Sequence, residues 1–193
     1  MCVVNGPHEP STRSTTKANI NVEFTIAAFS ETDRKKRNRT DRRIQEYSMA
    51  IQKAFDIAVL TSLIPRSQID VKVHVLSQDG GLLQSVINAA TLALVDAGVP
   101  MTDYVCACNA GCLQDDVLLD LNNIEENDLS WCTVATLGKS GQVTLLQMEN
   151  KVQMERFETI MAVAISGCEQ IHTIMDDTVR RTSKGFLEKL KVR

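Results

Sequence analysis

Apolar and polar residues alternate along residues 18–29, "ANINVEFTIAAF", with Ile20, Val22, Phe24 and Ile26 on one side and Asn19, Asn21, Glu23 and Thr25 on the other. A period of two predicts a half-buried strand, of the antiparallel kind that shows one face to water. The period then lengthens. Ile44, Tyr47, Ile51, Phe55, Ala58 and Val59 recur at helical spacing, which predicts an amphipathic helix. Thr40 is its expected N-cap and Asp41 its expected first-turn acid. "PRS" at 65–67 ends that segment, and "IDVKVHVL" at 69–76 returns to alternation with Val71, Val73 and Val75 inward.

Downstream, "LLQSVINAATLALVDAG" (82–98) is apolar on nearly every side, the pattern of a helix buried from several directions. Strand-like runs fill 103–120 and end in an acidic stretch, "QDDVLLDLNNIEEND". "WCTVATLG" (131–138) and "QVTLLQM" (142–148) predict a hairpin across "KSG", with Gly141 at its turn. From residue 153 one long helix is expected, its buried side marked by Phe157, Ile160, Met161, Ala164, Ile165, Cys168, Ile171, Met175 and Val179. The basic end, about 180–193, is expected to fray. At the other end, "CVV" (2–4) reads as the last residues of a strand that meets the turn "NGPHEP" at once. Strands followed by helices, twice over, predict an α+β or split βαβ layer architecture. The 193 residues suit one domain with a real core.

Composition narrows the function classes. The formal net charge is -3, so nucleic-acid binding has to be read from how charge is distributed. No apolar run approaches the ~20 residues that span a bilayer, so no membrane association is expected. The first ten residues lack a basic region followed by an apolar one, so no secretory signal is expected there. Six cysteines, most in apolar surroundings, read as reduced, buried thiols. "CACNAGC" (106–112) has no second cysteine pair elsewhere, so core packing is favoured over metal binding. His8, His74 and His172 are scattered, and nothing pairs one with a nucleophile.

Two features invite chemistry. "RKKRNRTDRR" (34–43) holds seven of the 21 Lys and Arg residues. Cations at a helix start are disfavoured by the helix dipole, so Arg42 and Arg43 point to an anion such as phosphate at that place. The acids Asp115, Asp116, Asp120, Glu125 and Glu126 could hold Mg²⁺, although such patches are mostly solvated loops. A third feature is a contradiction. Asp79-Gly80-Gly81 lies between a strand and a helix start, an arrangement suited to cradling an anion. Yet the next side chains are Leu82 and Leu83, which cannot hold one.

"GPHEP", "DRR" entering a helix, "PRSQIDVKVHVLSQDGG", "NAATLALVDAGVPMTDYVCACNAG" and "DLNNIEEN", in this order, resemble the ribonuclease PH family across essentially the whole chain. The resemblance implies a ribonuclease PH-like fold, two βαβα halves similar to the second domain of ribosomal protein S5. It also implies that the first strands of the fold are missing, since relatives carry several before "GPHE". Sheet edges and core faces are then expected to be open, along strand 19–26 and helix 82–97 in particular.

Active relatives degrade RNA from its 3′ end with inorganic phosphate, which a Thr and an Arg after the glycine turn grip. Leu82 and Leu83 stand in those places. Counting from Asp120-Leu121, the two catalytic carboxylates fall at Glu126 and Cys132, and a cysteine cannot serve as the general acid. The resemblance therefore implies a non-catalytic subunit of the eukaryotic exosome ring that threads single-stranded RNA. Arg42 and Arg43, with Arg13 and Ser14, match positions on the RNA route. No cofactor and no metal are implied. The implied partners are single-stranded RNA, other ribonuclease PH-type ring subunits, cap subunits and a hydrolytic exoribonuclease. The implied location is nucleus, nucleolus and cytoplasm. An active phosphorolytic 3′-exoribonuclease and a Mg²⁺-dependent hydrolase using the acidic patch are the rival readings.

Overall fold

A computed structural model describes residues 1–10, 16–31, 34, 41–113, 116–148 and 150–191. Strand β1 (Cys2–His8) pairs antiparallel with β3 (Gln68–Val75), and β2 (Asn19–Ile26) pairs with the other edge of β3 in parallel. The predicted alternation of β2 holds: Ile20, Phe24 and Ile26 are buried and Val22 is half-buried. The expected antiparallel pairing does not. Helix α1 (Arg42–Ala58) lies between β2 and β3 and packs on β2. A crossover of this kind brings the chain back to the end from which it left, so the two strands run the same way. The expected turn at "NGPHEP" is also corrected. β1 continues through Gly6 and Pro7 to His8, and a register shift between Asn5 and His8 keeps it paired to Gln68.

The start of α1 differs from expectation by one residue. Asp41 is the N-cap, its side chain accepting from the Arg43 N–H, and the helix begins at Arg42. Thr40, the expected cap, lies outside the described residues. Replacing Asp41 by Ala leaves an orphan amide at this end and is expected to cost about 1 kcal/mol of stability. A melting curve of the variant beside Asp41→Asn, which keeps the cap, checks this.

The second sheet has the order β5-β4-β6-β7 and is antiparallel throughout. Its strands are β4 (Val105–Leu113), β5 (Asp116–Leu119), β6 (Ser130–Leu137) and β7 (Gln142–Met148). β6 and β7 form the predicted hairpin, with Gly141 left-handed at its turn (φ 66°). Helix α2 (Leu82–Asp96) contacts β1 and β3 of the first sheet and β4 and β6 of the second. That is why it is apolar nearly all round. Its residues Leu83, Val86, Ile87, Ala90 and Leu94 join Ile20, Phe24, Ile69, Val71 and Val105 in one core. Of the apolar residues of strand 19–26 and helix 82–97 that were expected to lie open, Ile20, Phe24, Ile26, Leu83, Val86, Ile87, Ala90 and Leu94 are buried, most others are half-buried, and Ala97 is exposed.

Helix α4 (Met154–Lys191) packs on the far side of the second sheet, against β4, β5 and β6. Every residue predicted on its inner side is buried or half-buried. The basic end is helical through Lys191, and residues 192–193 lie outside the described residues. β4 is covered on both faces: Val105 and Ala107 join the main core, while Cys106 and Cys108 pack with Cys168 and Met175 beneath α4. Four of the six cysteines are buried, two are half-buried, and all six are free thiols.

Candidate nucleic-acid interface around the glycine turn

A cavity of about 390 Å³ opens beside the glycine turn, and Arg43, Tyr47, Leu82, Leu83, Glu126 and Trp131 contribute to its wall. Residues far apart in sequence, singled out there for different reasons, therefore meet. The first turn of α1 brings Arg43. The start of α2 brings the two leucines. Glu126 comes from α3 (Asn123–Asp128), a single turn of helix with a complete capping box between Asn122 and Glu125.

The turn itself is built to pack. Gly80 is left-handed (φ +86°), and a Cβ there would come within 2.5 Å of the Leu121 carbonyl oxygen. Gly81 is also left-handed (φ +56°), and a Cβ there would run into the Gln84 side chain. Gly80 is required by the close approach of the 121–122 backbone, and Gly81 by its left-handed backbone, which side chains rarely adopt. The anion cradle is meanwhile filled from within. The Gly81 N–H donates to Glu126 Oε1 at 2.7 Å, and Asn109 Nδ2 donates to the same oxygen at 3.0 Å. A carboxylate of the chain sits where the amides of the turn would meet a phosphate.

Asn109, fully buried on β4, is the hub of this arrangement. Besides Glu126, its Oδ1 accepts from Leu121 N–H at 3.0 Å, and its backbone N–H donates to Gln84 Oε1. Gln84 Nε2 donates in turn to Asp120 Oδ1 at 2.8 Å. Sequence reasoning passed over Asn109, Gln84 and Trp131. The available signal was a lone asparagine inside the otherwise apolar "VCACNAG", since a buried amide needs partners.

The geometry corrects one residue assignment. Cys132 does not face the cavity. It is 1% exposed and packs with Ala110, Val134, Ile160 and Ala164 under α4. Successive strand residues point to opposite faces, so its neighbours Trp131 and Thr133 line the cavity instead. Burial pushes the Cys132 thiol up to about 11. The β6 residues that do face the cavity are an indole and a hydroxyl, and neither is a carboxylic acid.

The paired arginines also separate. Arg42 points into solvent with its side chain 92% exposed, its Nε 3.0 Å from Glu46 Oε1, while Arg43 lines the cavity. Arg13 and Ser14 lie outside the described residues. The acidic patch disperses: Glu125 caps α3, Glu126 fills the turn, Asp120 holds Gln84, and Asp116 is exposed on β5. Asp115 lies outside the described residues. Among the described residues no three His, Cys, Asp or Glu side chains are grouped to hold a metal ion, and no helix is long and apolar enough to cross a membrane. None of the histidines reaches the cavity. His8 lies 3.4 Å from Asp70 and His172 lies 3.4 Å from Asp103, both elsewhere in the fold.

Two layered sheets with a glycine turn between them define the class. The chain belongs to the ribonuclease PH family: residues 1–100 match domain 1 of the 3′ exoribonuclease family, and residues 103–167 match its domain 2. Among individual relatives, it is 46% identical over 193 residues to the exosome complex component ski6 of Schizosaccharomyces pombe, covering 98% of this chain and 80% of that one. It is 39% identical over 186 residues to the exosome complex component RRP41 of Homo sapiens, covering 94% of this chain and 76% of that one. The crystal structure of rice (Oryza sativa) Rrp46 superposes with a TM-score of 0.82 at 25% identity, over 93% of this chain and 82% of that one. The α+β, ribonuclease PH-like fold expected from sequence is the fold observed.

Proposed function

We propose that the protein is a non-catalytic, RNA-threading subunit of an exosome ring, which supports 3′-to-5′ RNA processing and decay by a separate nuclease. One observation carries the non-catalytic part: Glu126 closes the anion cradle at the glycine turn while β6 turns Trp131 and Thr133 toward the cavity. A carboxylate that already accepts from a backbone amide and from Asn109 is held as an acceptor. It is badly placed to donate a proton to a leaving ribose oxygen. Leucines beside it offer inorganic phosphate no side-chain grip. The names of the relatives, exosome complex components, support membership of such a ring. Pairing with other ribonuclease PH-type subunits, contact with cap subunits and a hydrolytic exoribonuclease, and residence in nucleus, nucleolus and cytoplasm belong to the same proposal.

The RNA path on this subunit runs past the start of α1. Arg43 provides the inner contact and Arg42 the outer one, and Arg13 and Ser14 complete the proposed route. Contacts of this kind go to phosphates, so they carry no base information and weaken with salt. The test is a ring reconstituted with Arg43→Glu, Arg42→Glu or both, with RNA binding measured at several salt concentrations beside an assembly control. Arg43→Glu is expected to weaken binding more than Arg42→Glu, because Arg42 is tied to Glu46 in solvent. The slope of log affinity against log salt is expected to fall by roughly 0.7 per lost contact, alike for unrelated RNA sequences. Unchanged affinity in an intact double-variant ring would sink the threading reading. Loss of assembly would make this surface a subunit interface.

A further inference from the structure

The basic end of α4 lies outside the cavity at the glycine turn, and nothing said so far uses it. We propose that Ser183, within it, is a phosphorylation site for an arginine-directed serine/threonine kinase. This goes beyond the threading reading and does not rest on it.

The sequence singles out the position. Ser183 follows Arg180-Arg181-Thr182, so arginines stand two and three residues before it. No other Ser or Thr of the chain has both. Thr16, Thr40 and Thr159 have an arginine three residues before and none two before. Kinases select substrates by charge pattern, and paired guanidiniums fit a cleft lined with carboxylates. The surroundings agree with that charge. Residues 180–193 hold six cations against one acid, Glu188, in a chain whose net charge is -3.

The structure leaves the motif open. The last described residue of α4 that is buried is Met175, which packs with Cys106 and Cys168. From Arg180 to Lys189 only Gly185 is half-buried, and every other residue is exposed. Arg180 Nε donates to Asp176 Oδ2 at 2.8 Å with its side chain 68% exposed. An exposed pair of this kind is weak, so carboxylates of a kinase can take the guanidinium.

A kinase cleft takes an extended backbone, and this part of α4 can supply one. Isolated helices shorter than ~12–15 residues are marginal in water, and the stretch 180–191 is no longer than that. It also contains Gly185, a weak helix former. In the transfer, Ser183 Oγ attacks the γ-phosphorus of ATP. The bond to the β-phosphate oxygen breaks, ADP leaves, and the hydroxyl proton passes to a carboxylate of the kinase. The product adds about -1.5 to -2 charge to the basic end. In the helix it lies one turn from Arg180, Phe186 and Leu187, at spacings of three and four. It therefore competes with Asp176 for Arg180 and sets a charge beside the exposed apolar pair.

The test incubates the full chain with ATP and the catalytic subunit of cyclic-AMP-dependent protein kinase, and maps the phosphate by mass spectrometry. One phosphate is expected, on Ser183. Ser183→Ala is expected to abolish it and Thr182→Ala to leave it. Arg180→Ala and Arg181→Ala are each expected to lower kcat/KM at least about tenfold, the worth of a lost charge pair. Gly185→Ala tests the unwinding, since a Cβ there meets nothing within 4 Å. It strengthens the helix alone and is expected to slow transfer about fivefold. Unchanged circular dichroism melts establish that the variants fold. Phosphate on Thr16, Thr40 or Thr159 in place of Ser183, or rates indifferent to both arginines, would overturn the assignment. A Gly185→Ala rate equal to that of the parent would overturn the unwinding step. Protein isolated from its own cells with phosphatase inhibitors is expected to carry the same phosphate, and its absence there would overturn the site.

Discussion

Incubated with a single-stranded oligoribonucleotide and inorganic phosphate, the protein is expected to leave the 3′ end intact. Phosphorolysis needs phosphate held in line with the terminal linkage and an acid to protonate the departing ribose oxygen. On the proposed reading, the glycine turn meets neither requirement. Leu82 and Leu83 cannot bind an anion, and the Gly81 amide is engaged by Glu126. Removing a positioned acid or base usually costs 10²–10⁴-fold, and misplacing a reactant costs about 10²-fold more. A rate at least roughly 10⁴-fold below that of an active relative is therefore expected. The assay follows phosphate-dependent release of nucleoside diphosphates across a range of phosphate concentrations. Release that disappears in Glu126→Ala would show that the carboxylate is catalytic and that the cradle opens in solution. The comparison is worth making with the protein alone and with an inactive ring partner, since a neighbour could add groups to the cavity.

The second large effect is one of stability. Asn109→Ala is expected to destabilise the protein by about 3 kcal/mol, because a fully buried amide is removed and its partners remain. Leu121 N–H loses its acceptor, and Glu126 loses one of its two donors. A buried group left unpaired costs about 1–3 kcal/mol, and hydrogen bonds to charged groups are at the strong end. In a chain of this size such a loss corresponds to a fall of roughly 10 °C in melting temperature. Asn109→Asp keeps the shape but sets a second carboxylate against Glu126, and is expected to be no better near neutral pH. A loss under about 1 kcal/mol for Asn109→Ala would mean that water replaces the amide and that the turn is not tied down as described.

Most of the local structure was legible from periodicity alone. The inner side of α4, the alternation of β2 and the apolar helix α2 follow from spacings of two and 3.6, because each reports which side of one element meets the core. The glycine pair announced a turn for the same local reason. The start of α1 was misread by one residue because Thr40 and Asp41 are both good caps, and only the folded backbone selects between them. The direction in which β2 pairs was not legible either. Alternation tells which face is buried, while the sense of pairing depends on where the crossover through α1 returns the chain.

The chemistry of the site was divided in the same way. Sequence alone determined that the residues after the glycine turn are leucines, whose side chains offer an anion neither charge nor hydrogen bond. Tertiary structure alone decided what occupies the amides of the turn. Counting along the chain put an acid's place at Cys132, but side-chain direction on β6 depends on sheet register, and that register turns Trp131 and Thr133 to the cavity. Glu126 and Gly81 are 45 positions apart, and no local pattern says that one fills the other. Asn109 belongs to the same category, since a polar residue in an apolar strand reveals a need for partners without naming them. A sequence records the properties of single elements, whose physics is local. Which groups become neighbours is settled by how the two sheets close around α2, and the occupied anion cradle exists only after they have closed.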